Sequence, residues 1–202
     1  ILAAWLLWTA MFVKYALILP ALTPGIDFPK HRRAAVAVVE GRSPNDGDNY
    51  LLFNYPQFAA WVFLFLAWVP EARSETAWDL CNALFIAASL LIVIRWCRPR
   101  KKDGIGPGAA RRWAARHWHA VSALAMGLFA PAFVGNHYGN IEPFNLLLAT
   151  LFLACMLRGW EARAGAALAA LALVKILPVL LLAPLWLARW RRAVWACLGC
   201  FG

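Results

Sequence analysis

Apolar residues along this chain come in unbroken runs, not in the spaced pattern of a soluble helix or strand. The runs cover Ile1–Leu22, Phe58–Val69, Leu80–Ile94, Val121–Val134, Phe144–Leu157, Ala162–Val174, Leu177–Leu187 and the stretch from Ala193 onward. A bilayer-crossing helix needs about 20 largely apolar residues, and flanking Trp, Ala and Ser bring most runs near that length. The pattern therefore predicts helices throughout. Phe58–Val69 is too short to span. Bounded by Pro56 and Pro70, it predicts a re-entrant or interfacial helix. Ala162–Leu187 predicts a helical hairpin bent at Lys175 and Pro178. His31–Glu40 predicts a short helix lying along the membrane and ending at Gly41, and the Ser43–Asp48 stretch is turn chemistry.

Composition supports the same class. Of 202 residues, 63% are apolar and 15% charged, and mean hydropathy is +0.61. Soluble domains carry about 25% charged residues. A soluble globule, a disordered tail and a disulfide scaffold are excluded. The expected fold is an all-α polytopic membrane protein, with one transmembrane domain over residues 1–202. The chain begins at Ile1 and ends at Gly202, both within apolar runs, which predicts the N-terminal part of a longer protein. The five cysteines, at 81, 97, 155, 197 and 200, suit core packing better than metal or redox chemistry, because the lone C-x-x-C lies in an apolar run.

The net charge of +10 reads as topology and not as nucleic-acid binding, since the basic residues sit in short loops between apolar runs. With a cytoplasmic N-terminus and a non-spanning Phe58–Val69, residues 95–116, 158–163 and 189–192 are cytoplasmic, and 23–79 and 135–143 exterior. The inner loops then carry 13 Lys/Arg and two acids, the outer loops five Lys/Arg and eight acids. A spanning Phe58–Val69 would put the eight basic residues of 95–116 outside and invert the rule. That loop's Gly104–Gly108 stretch lacks the preceding strand and Lys-Ser/Thr ending of a phosphate loop, so a basic loop facing membrane lipids is expected.

The exterior loop beginning at Thr23 holds Asp27 just beyond the first helix, then Lys30, His31, Arg32 and Arg33, and later Tyr55-Pro56. Asp27-Phe28, the Gly41-Arg42-Ser43-Pro44-Asn45-Asp46 stretch and Phe53-Asn54-Tyr55-Pro56 resemble the first exterior loop of glycosyltransferase family 87. Gly139-Asn140-Ile141-Glu142 up to Leu148 is similar to that family's exterior G-Q-x-N-x-L-L-L segment, and Ala169–Pro184 to its A-x-x-x-K-x-x-P hairpin. Arg189-Trp190-Arg191-Arg192 follows as it does there. Departures are Gln57 after Tyr-Pro, Asn45 after Ser-Pro, Asn140 and Glu142 for the family's Gln and Asn, and basic residues after Asp27.

The resemblance implies a bundle of the GT-C superfamily, with short interfacial helices in a long first exterior loop. It implies a multi-pass cell-membrane enzyme that moves a sugar from a polyprenyl-phosphate donor to a lipid-linked or glycan acceptor on the exterior face, mannose being the commonest cargo and arabinofuranose an alternative. It assigns the base to Asp27, as does the chemistry of a half-buried carboxylate at the interface. A helix-end or Arg-paired structural role is the alternative. The leaving phosphate needs cations, and Lys175 is the intramembrane candidate, with snorkelling as its alternative. Lys14 lies deeper and is as readily explained by snorkelling. His31, Arg32 and Arg33 could bind phosphate or anchor the loop on anionic lipid, and His137 could meet phosphate when protonated. Tyr55, Tyr138, Asn140 and Glu142 suit a sugar, by ring face or hydroxyl contacts. No cofactor is expected. Asp46-Gly47-Asp48 could hold a divalent ion, but a solvated turn is the expected role, since nucleotide sugars are cytoplasmic. A transporter or flippase and a non-catalytic envelope-assembly subunit are the competing classes.

Overall fold

The computed structural model describes residues 2–18, 27–45, 55–97, 116–128 and 139–201. Among them all regular structure is helical. Helix α1 (Leu2–Phe12) runs into a π-helical segment, Val13–Ile18, that includes Lys14. There follow α2 (Phe28–Val39), a 3₁₀ helix (Gln57–Ala67), α3 (Glu71–Trp96), α4 (Trp118–Leu128), α5 (Glu142–Arg158) and α6 (Glu161–Val174). A second 3₁₀ helix (Leu177–Leu181) leads into α7 (Leu182–Leu187), and α8 (Arg191–Gly199) ends the described part.

The 26 residues of α3, with a mean hydropathy of 2.0 over its apolar window, make it long and apolar enough to cross a bilayer. At 1.5 Å per residue it is about 39 Å long. Leu80, Leu84 and Leu91 point outward, while Trp78, Asn82, Ile86 and Ser89 are buried. Exposed leucines beside a buried face that includes Asn82 and Ser89 suit a hydrocarbon surround. It is the single helix of span length among the described residues. The other apolar helices, Leu2–Phe12, Gln57–Ala67 and Leu177–Leu187, are shorter. The all-helical class expected from the apolar runs is seen, with one helix of span length where several were expected, because local breaks divide the runs. At Gly159 (φ +73) the Trp160 N–H turns back to the Cys155 carbonyl at 2.9 Å and ends α5. Lys175, with extended backbone, ends α6.

The short segment after Pro56 is a 3₁₀ helix, and its sequence explains why. Three residues per turn place Ala60, Phe63 and Leu66 on one buried face and Phe58 and Trp61 on the exposed one. Eleven residues at about 2 Å rise reach about 22 Å, less than a hydrocarbon core. Helix α2 starts with Pro29 in its first turn and is followed by Gly41 at φ +71, as the pattern predicted within a turn. Its buried residues Phe28, His31, Ala34 and Ala35 form one stripe. That stripe packs on Ala59, Ala60, Phe63 and Leu66, with Trp78 of α3, Ile141, Leu148 of α5 and Leu171 and Val174 of α6 in the same core. A second core joins Leu168 and Ala169 of α6 to Leu185 of α7 and Val194 and Cys197 of α8, so the chain does fold back after Lys175.

Candidate functional site

The first core is roofed by polar groups from four separate stretches of chain. Tyr55, just before the 3₁₀ helix, donates its hydroxyl to Asn140 Oδ1 at 2.5 Å. The same oxygen accepts the Ile141 N–H at 2.7 Å. Gly139, at φ +67, makes the turn, and α3 holds it from behind. Trp78 Nε1 donates to the Gly139 carbonyl at 2.9 Å, and Asn82 Nδ2 to the Asn140 carbonyl at 3.1 Å. Glu142 opens α5 with Pro143 behind it, a favourable place for an acid at a helix start. One of its carboxylate oxygens is ion-paired with Lys175 Nζ, and the other accepts from Asn145 Nδ2 at 3.3 Å. Lys175 reaches this point because α6 ends there and α5 begins there.

Asp27 stands at the N-cap position of α2 but makes no capping bond. Lys30, one turn on, donates to its Oδ1 at 2.5 Å, and both side chains are half-buried. Arg32 lies 3.6 Å from Glu71 at the start of α3, and Arg33 is exposed. His31 is fully buried and stacked on Phe63, with ring centroids 4.2 Å apart and planes at 5°. Tyr55 and Trp78 lie 5.6 Å and 6.4 Å from it. Burial lowers the His31 pKa from 6.5 to about 4; the Asp27 charge opposes this and Lys30 adds to it. His31 is therefore a neutral wall of the site at physiological pH, not a cation. Burial raises the Tyr55 pKa to about 12, and the charges of Glu142 and Asp27 push the same way. Both carboxylates thus act on one hydroxyl, which stays protonated.

The structure brings Asp27, His31, Tyr55, Asn140, Glu142 and Lys175 around one end of the helices. It turns Arg33 out to solvent and gives Arg32 to Glu71. His137, Tyr138 and the Asp46/Asp48 turn lie outside the described residues. No cluster of three His, Cys, Asp or Glu suited to a metal occurs among the described residues. Sequence reasoning missed Trp78 and Asn82, which position the Gly139–Asn140 turn, and Lys30 as the partner of Asp27. A Trp and an amide four residues apart at the start of an apolar run were a readable signal for an inward face.

Chemically, this is a carboxylate-and-lysine cluster with sugar-sized polar neighbours, set at the ends of helices, one of them of membrane-crossing length. A sequence model of glycosyltransferase family 87 matches residues 53–202, and the chain belongs to that family. The match takes in Tyr55, Asn140, Glu142 and Lys175, and Asp27 precedes it. No curated protein and no solved structure matches the chain. The family is one of membrane-associated glycosyltransferases, so the chain is assigned to glycosyl transfer between a donor and an acceptor.

Proposed function

We propose that the protein transfers a sugar, mannose in the first instance, from a polyprenyl-phosphate donor to a lipid-linked or glycan acceptor at the exterior face of the cell membrane. The observation that carries this reading is the meeting of Asp27, Tyr55, Glu142 and Lys175 at one end of the bundle. Asp27 takes the proton of the acceptor hydroxyl. The acceptor oxygen bonds to the anomeric carbon as the carbon–phosphate oxygen bond breaks. The electron pair leaves with the polyprenyl phosphate, whose charge Lys175 and Lys30 stabilise. A single displacement of this kind inverts the anomeric centre. Asn140 and Tyr55 fit sugar hydroxyls, and His31 with Phe63 forms the floor beneath them.

Glu142 is a second carboxylate for the base role. One observation favours considering it: both carboxylates are held by a lysine, but the family match includes Glu142 and starts after Asp27. The test places the full-length protein in nanodiscs with radiolabelled polyprenyl-phosphate-mannose and a membrane lipid extract. Wild type, Asp27→Asn and Glu142→Gln are compared. Label moving to a new product in wild type and Glu142→Gln but not in Asp27→Asn supports the assignment. Full transfer by Asp27→Asn removes Asp27 as base. No transfer by wild type from either the mannose or the arabinose donor sinks the donor class.

A further inference from the structure

At the end of α6 opposite Lys175, a cavity of about 490 Å³ opens between the α5–α6 turn and the start of α8. Gly159, Trp160, Glu161, Ala162, Arg163 and Arg192 line it. Fourteen residues of α6 put it about 20 Å along the helix from the polar cluster, so it is not part of that site. We propose that this cavity binds a phosphate-bearing anionic headgroup.

Two arginines line the cavity, and among the described residues neither Arg163 nor Arg192 is paired with a carboxylate. Arg163 lies over the Trp160 ring, 4.9 Å from its centroid, which fixes the cation without neutralising it. Glu161 is the one acid in the lining, so the two arginines leave an excess of positive charge there. A planar guanidinium fork suits the oxygens of a phosphate better than it suits a zwitterionic or neutral headgroup.

Helix packing brings both arginines to one place. A Cβ on Gly165 would lie 2.2 Å from the Ala193 carbonyl oxygen, so α6 and α8 touch backbone to backbone just inside their first turns. Their capping positions, Trp160 and Trp190, offer no side-chain acceptor to the first-turn N–H groups. The first-turn residues Glu161, Ala162 and Arg163 of α6 themselves line the cavity, so the positive end of that helix adds to the arginine charge. Trp160 is partly exposed at the rim, a residue type that settles at the level of lipid headgroups.

The headgroup of an anionic phospholipid and a soluble phosphate compound share the chemistry recognised here. The experiment separates them and reads binding, so its outcome is independent of the transfer reaction. Full-length protein in phosphatidylcholine nanodiscs is titrated with phosphatidylglycerol, and bound lipid is counted by native mass spectrometry. R163Q/R192Q is compared with R189Q/R191Q, which removes the same charge beside the cavity. The expected result is an affinity loss of about tenfold or more in the first double and less than about twofold in the second. If R163Q/R192Q is misfolded by circular dichroism, Ala162→Trp, which fills the cavity, takes its place with the same expected loss. Displacement of the lipid by millimolar inorganic phosphate identifies the phosphate group itself as sufficient. Binding that resists phosphate assigns the site to lipid. Equal losses in both doubles, or no loss in R163Q/R192Q, overturn the proposal.

Discussion

The two ends of α6 handle charge in opposite ways. Toward its C-terminal end three cations have carboxylates, while Arg33 is exposed: Lys175 has Glu142, Lys30 has Asp27 and Arg32 has Glu71. At its N-terminal end the cations rest on carbonyls and rings. Arg158 donates to the carbonyls of Trp96 and Arg95 at 3.0 Å, Arg163 lies over Trp160, and Arg191 over Trp186. A carbonyl or a ring satisfies geometry without cancelling charge. The paired end can exchange a carboxylate for a substrate phosphate at modest electrostatic cost. The unpaired end holds a standing attraction for anions from outside. The difference sets the proposed transfer site apart from the proposed headgroup site.

The largest expected effect tests the paired end. Asp27→Asn and Lys175→Gln should each lower transfer by about 10²–10⁴-fold, read as initial rates with radiolabelled donor. Equal rates in the wild type and both variants would show that the paired end is only structural.

Next in size is acid sensitivity. His31 has a folded pKa of about 4 against 6.5 when unfolded, so the unfolded chain binds the extra proton between those values. The contribution is complete above pH 6.5 and is lost as pH falls toward 4, with a span on the order of 3 kcal/mol. His31→Phe keeps the stack on Phe63 and should flatten the unfolding midpoint across that window. An unchanged slope would place the acid sensitivity elsewhere.

Packing at the other end comes third. Gly165→Ala drives a methyl into the Ala193 carbonyl and should cost about 1–3 kcal/mol, measured by thermal unfolding in detergent. Gly199→Ala in the neighbouring helix meets nothing within 4 Å and should cost nothing. Equal effects would contradict the close crossing of α6 and α8.

The smallest effect concerns the Asn140 turn. Tyr55→Phe and Asn82→Leu each remove one hydrogen bond to Asn140 and should reduce transfer by about fivefold to tenfold, with the unfolding free energy lowered by about 1 kcal/mol. A loss comparable to that of Asp27→Asn would move Tyr55 from positioning into the reaction.

Local chemistry was enough to read much of this protein. Unbroken apolar runs, Pro29 and Gly41 around α2, the prolines flanking the 3₁₀ helix and the break at Lys175 were all legible, because propensity, capping and periodicity act over a few residues. Lys175 was singled out as a charge in an apolar run, and Asp27, Tyr55, Asn140 and Glu142 by their exterior-loop chemistry and the short motifs of the family resemblance. Their partners were not legible. Lys175 meets Glu142 across 33 residues and Tyr55 meets Asn140 across 85, and no local rule selects such pairs. Burial of His31 between α2 and the 3₁₀ helix turned an expected cation into a neutral aromatic wall. Arg163 and Arg192 line one cavity because Gly165 lets two helices touch. Sequence determined which segments are helical and which residues carry chemistry. Tertiary structure decided which charges are cancelled and which remain, because desolvation and Coulomb energy depend on neighbours in space.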